Sequence, residues 1–128
     1  LVGGDLQGCA LLYVGGYRDV TPRLRAHVEA LRGTFLYHDG GIEMQTLRLT
    51  GFVSQADAVF CPVGCISHDA CLRLKHLCKR QGKRLVLLRS AGLSGFVAAL
   101  NAMTQRAANR RPANAASYSI MEAEAGHG

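Results

Sequence analysis

The sequence predicts a single α/β domain in which a parallel sheet lies between two layers of helices. Two observations predict it. Four short apolar runs alternate with four segments of helical period, and a chain of 128 residues, 48% of them apolar, is long enough for one core but not for two. The expected sheet has four parallel strands in the order 2-1-3-4.

The first strand is expected over Cys9 to Val14, the longest apolar run, which leads into Gly15-Gly16. Thr21-Pro22 then reads as a helix cap followed by proline at the first helical position, with Leu24, Val28 and Leu31 as the apolar stripe. Gly33 ends that helix, and Thr34 to His38 follows as the second strand, before the turn Asp39-Gly40-Gly41. Leu49, Phe52, Val53 and Ala56 recur at helical spacing, after which Asp57 to Cys61 forms the third strand and stops near Pro62 and Gly64.

Ser67 is placed to cap the next helix, with Asp69 in its first turn and Ala70, Cys71, Leu74, Leu77 and Cys78 on its buried face. Arg84 to Leu88 makes the fourth strand, and Leu93, Phe96, Val97, Leu100 and Met103 put an apolar stripe on a last helix. The domain so defined runs over residues 9–106. Residues 107–128 turn to Ala, Asn, Arg, Pro and Ser without sustained period and read as a flexible tail or one ordered by a partner.

Composition narrows the function classes. No stretch approaches the ~20 apolar residues that cross a bilayer, and the amino terminus lacks a secretory pattern, so a cytoplasmic location is expected. Five cysteines, an odd number, argue against a disulfide framework and leave buried thiols, metal ligands or reactive thiolates. The net charge of +6 raises the question of nucleic acid, but the basic residues are spread over several segments and aromatic residues are few, so nucleic acid is not the expected partner.

In an open parallel sheet the loops leaving the strand carboxyl ends share one edge, and ligands bind where the strand order reverses. Every candidate polar residue lies in such a loop. Cys61, Cys65 and His68 form C-x3-C-x2-H, and His38 from the neighbouring strand end would complete four ligands for a tetrahedral ion. Iron, zinc or haem would suit that sulfur and imidazole set. The competing reading makes Cys61 a small buried hydrophobe and His68 part of a helix cap. Cys78 is read as core, because a rise of 1.5 Å per residue carries it about 15 Å along its helix from His68.

A second site is an anion cradle. Gly15-Gly16 precede a helix amino terminus with Arg18 beside them, and Asp39, Ser67 and Arg89 stand in the adjoining loops. A tight strand-to-helix turn is the competing reading of the two glycines. Cys65, next to a helix amino terminus that favours its thiolate, is the candidate nucleophile if the chain is an enzyme.

The segments Leu12-Tyr13-Val14-Gly15-Gly16, Tyr37-His38-Asp39-Gly40-Gly41-Ile42-Glu43 and Gly64-Cys65-Ile66-Ser67-His68 together resemble the bacterial family catalogued as DUF2325. The resemblance spans about residues 10–100 and extends through Cys78-Lys79-Arg80 and Leu88-Arg89-Ser90 to Phe96. It implies a Rossmann-like, flavodoxin-like three-layer sandwich in a bacterial cytoplasmic protein, and no reaction or substrate.

Three functions are therefore expected in descending order. The first is a metal- or cofactor-binding, redox- or metal-sensing domain built on His38, Cys61, Cys65 and His68. The second is a regulatory module that binds a small anionic ligand, and the third is a Cys65-dependent enzyme. A homodimer is the expected assembly.

Overall fold

The structure is a computed structural model that describes residues 6–40, 46–109 and 120–123. Strand β1 (Ala10–Val14) is followed by helix α1 (Thr21–Ala30), β2 (Thr34–His38), α2 (Thr46–Gln55) and β3 (Ala58–Pro62). A 3-10 turn at Val63–Cys65 leads to α3 (His68–Gln81), and β4 (Arg84–Leu88), α4 (Leu93–Asn109) and β5 (Ile120–Ala123) complete the order. The sheet reads β2-β1-β3-β4-β5, and every neighbouring pair is parallel.

The expected order 2-1-3-4 is present, with helices on both faces. Alternation along each strand sorts the side chains into two cores. Leu11, Tyr13, Phe60 and Val86 face α1 and α4, where Leu24, Val28, Phe96 and Leu100 meet them. Leu12, Val14, Val59 and Leu85 face α2 and α3, against Leu49, Val53, Leu74 and Cys78. Burial on both faces explains why β1 reads as an unbroken apolar run and not as an alternating one.

Several boundaries differ from the sequence reading. Residues 120–123 lie in the segment expected to be a tail, yet they form β5, with Leu85–Leu88 pairing Ile120–Ala123. A four-residue strand is too short to announce itself by period, and what places it is the open edge of β4. Residues 110–119 and 124–128 of that segment lie outside the described residues.

Thr21 does not cap α1. The cap position is Val20, without a side-chain hydrogen bond, and the Thr21 hydroxyl instead donates to the Tyr17 carbonyl at 3.3 Å. The left-handed residue after α1 is Arg32 (φ 68°), not Gly33. The Gly33 hydrogen is needed for packing, since a Cβ there would lie 2.6 Å from Leu6.

Strand β3 begins one residue later than expected because Asp57 has another task. Its carboxylate accepts from the Ala10 N–H at 2.8 Å, while its own N–H donates to the Ala10 carbonyl at 2.7 Å, which pins the start of β3 to β1. Ser67 caps α3 as expected by accepting from the Ala70 N–H at 3.0 Å. Gly82 closes the same helix in the left-handed conformation, donating to Lys79. Among the described residues no helix is long and apolar enough to cross a membrane.

Candidate functional site

The carboxyl ends of β1, β2 and β3 meet where the strand order reverses, and three residues fill that crevice. Gly15 (φ 91°) and Gly40 (φ 69°) both turn their α-carbons toward Ile66, so that a Cβ on either would lie 2.7 or 2.8 Å from the Ile66 Cγ2. The loop after β3 does face Gly15, as the 2-1-3 order requires, with the Cys65 carbonyl 3.8 Å from the same position. Its contribution to the crevice is a methyl group. The Gly15 N–H itself is taken up by the His38 carbonyl. Gly16 roofs the fully buried Tyr13 ring, 2.8 Å from where its Cβ would stand.

The four residues expected to ligate a metal come from the end of β2, from β3, from the turn that follows it and from the start of α3. Cys61 is fully buried in the core between the sheet and α3, and burial, with Cys71, Cys65 and Cys78 nearby, pushes its thiol well above the usual range. His68 opens α3 and is exposed, and Cys65 is half buried in the turn before it. His38 pairs with Val14, and Phe60 pairs with Tyr13, which puts Cys61 level with Val14 on the other side of β1. At about 4.8 Å per strand the His38 and Cys61 backbones are about 10 Å apart, with Val14 between them. Among the described residues no three His, Cys, Asp or Glu side chains form a group able to hold a metal ion.

The sequence reading of Cys61 as a small buried hydrophobe therefore describes its place in the fold. Cys78 is likewise core, its thiol pushed up to about 12 by burial. Ser67 spends its oxygen on the Ala70 N–H. Arg89 is exposed beyond β4, two strands from β1.

The open concavity lies instead along the β2 end of the crevice. It encloses about 810 Å³ between α1, β2 and α2, and it is lined by Arg18, Arg25, Tyr37, His38, Arg48 and Phe52 among others. His38 is its fixed point. The strand end buries the ring, the Gly15 N–H donates to its backbone carbonyl at 2.8 Å, and the Gly40 N–H donates to Nδ1 at 3.0 Å. An Nδ1 that accepts leaves the neutral ring's proton on Nε2 as a donor. Burial lowers the His38 pKa from its ordinary value, Asp39 opposes that shift and Arg48 adds to it. The Phe52 ring stands edge-on to the imidazole at 6.1 Å.

The three arginines come from separate elements. Arg18, in the loop after β1, reaches Asp39 at 3.4 Å in an exposed pair. Arg25, on α1, lies over the Phe35 ring at 5.1 Å and donates to the Phe35 carbonyl at 3.4 Å, which covers part of the outer edge of β2. Arg48 stands on α2. Glu29 and Asp39 are the acidic residues of the lining.

Of the sequence candidates, His38, Asp39 and Arg18 share this cleft, and the strand-end position of His38 was the signal that located it. Arg25, Arg48 and Tyr37 were missed. Two helical arginines without a motif are indistinguishable from a solvated face until the helices are packed on the sheet.

The architecture is that of a doubly wound α/β domain whose crevice lies at the carboxyl ends of its strands. Residues 10–103 match the family described as "Uncharacterized protein conserved in bacteria (DUF2325)", and the chain belongs to that family. No curated protein and no solved structure matches it.

Proposed function

We propose that this domain is a binding module for a small anionic ligand, held in the cleft beside His38. The observation that carries the reading is that Arg18, Arg25 and Arg48, from one loop and two helices, line a single concavity together with a buried histidine whose Nδ1 accepts the Gly40 N–H. Guanidinium groups present paired N–H donors in a geometry that matches carboxylate and phosphate oxygens. Around a neutral imidazole they favour an occupant that brings its own negative charge. The exposed Arg18–Asp39 pair opposes this little, because surface ion pairs contribute about 0–1 kcal/mol. A cytoplasmic setting belongs to the same reading and is in keeping with five free thiols.

Titration with inorganic pyrophosphate, followed through the His38 ring resonances, tests it. Saturable shifts are expected, weakened at least tenfold in Arg48→Ala and reduced as salt is raised, with Arg89→Ala as an unaffected control. Absence of any shift at millimolar pyrophosphate would overturn the reading.

A further inference from the structure

The fifth strand stands in the sheet in a way that the first four do not. A strand, a helix and a parallel strand in one sheet are joined with right-handed sense in about 98% of cases, because the twist of the strands lets the helix pack back only that way. Handedness follows from two facts, the direction of travel across the sheet and the face the helix covers. From β1 the chain steps outward to β2 over the face that α1 covers, then returns past β1 to β3 over the opposite face with α2. From β3 it continues in the same direction to β4, again over the α2 face, with α3. Those three connections share one hand.

The step from β4 to β5 continues in that direction once more, yet α4 packs on the α1 face through Phe96, Ala99 and Leu100. Same direction with the opposite face is the opposite hand. A chain that joined β4 to its own β5 through α4 would therefore make the rare left-handed connection. The helix is not free to move to the other face, because Phe96 is fully buried there with its ring edge-on to Phe60 at 5.0 Å and to Tyr13 at 5.7 Å.

The strand is also separable. The residues that match the family end at 103, before β5, so the match takes in β1 to β4 and not the strand on their edge. Ten residues, 110–119, separate α4 from β5. At about 3.3–3.6 Å per fully extended residue, ten residues span at most about 35 Å.

We propose that β5 is exchanged between two copies of this chain, the Ile120–Ala123 strand of each adding in parallel to the β4 edge of the other in the register Leu85 with Ile120 to Leu88 with Ala123. Exchange supplies the same ladder of backbone hydrogen bonds, and the handedness rule does not apply between separate chains. It also covers an edge that would otherwise expose unpaired N–H and carbonyl groups.

The experiment uses the full chain. Its mass by sedimentation is expected to be that of a dimer, and a sample refolded from equal amounts of ¹⁵N-labelled and ¹³C-labelled protein is expected to show Overhauser contacts between β4 and β5 that cross from one label to the other. A chain ending at Asn109 is expected to sediment as a monomer. A monomeric full chain, or β4 to β5 contacts found only within one label, would overturn the proposal, and the mixed-label result decides it even where the shortened chain fails to fold.

Discussion

The Cγ2 methyl of Ile66 stands 2.7 Å from the point a Cβ on Gly15 would occupy. Both residues are in place because neither yields. Gly15 holds φ 91°, a region side chains rarely adopt, and Ile66 packs against the α2 and α3 core. Gly15→Ala is expected to destabilise the fold by about 1–3 kcal/mol, from backbone strain together with the overlap. Ile66→Ala should remove the overlap and not the strain. The double variant is then more stable than the sum of the two single changes predicts, as urea denaturation will show. Strict additivity would mean that the two side chains do not meet.

Cys61 is enclosed by apolar neighbours and its thiol is held protonated. Iodoacetamide at neutral pH is expected to leave it unmodified in the folded protein and to reach it only after denaturation, because thiolate is the reactive form. Cys61→Ser should cost about 1–3 kcal/mol, since a hydroxyl desolvated without a partner replaces a thiol that behaves as a small hydrophobe. Peptide mapping after labelling, with and without denaturant, checks the first expectation.

His38 sets a pH dependence whose sign follows from the fold. Burial holds its folded pKa below the ordinary value of about 6.5, so the unfolded chain binds the proton more readily. Above the ordinary value both states are neutral and stability does not depend on this group. As pH falls through about 6.5 toward the folded pKa, stability declines. His38→Gln is expected to flatten that decline, measured as the urea midpoint between pH 7.5 and 5, and an unchanged slope would contradict it.

Tyr13 carries a buried hydroxyl that has no hydrogen-bond partner among the described residues, on a side chain only 1% exposed. Removing an unpartnered polar atom relieves a desolvation cost, whereas removing a bonded one incurs it. Tyr13→Phe is therefore expected to be neutral or stabilising in thermal denaturation. A loss above about 1 kcal/mol would reveal a partner, such as a buried water.

Much of this was legible in the chain. The runs at Cys9–Val14 and Arg84–Leu88 mark strands buried on both faces, and Ser67 marks the start of α3 by local chemistry alone. The strand-end position of His38 was equally readable. The side-chain directions of Cys61, Cys65 and His68 were not, because C-x3-C-x2-H spacing says nothing of which face each takes. A strand sends Cys61 inward, while a helix start leaves His68 exposed.

What the sequence determined by itself was the alternation of strands and helices, and with it a parallel sheet, its family and the edge at which polar residues gather. Only the tertiary structure decided that Ile66 packs against Gly15, that Arg18, Arg25 and Arg48 line one cleft with His38, and that a strand from beyond the family match completes the sheet. The reason is one of range. Periodicity and capping act over a few neighbouring residues, whereas a cleft and a sheet edge are made by residues brought together only when distant elements pack.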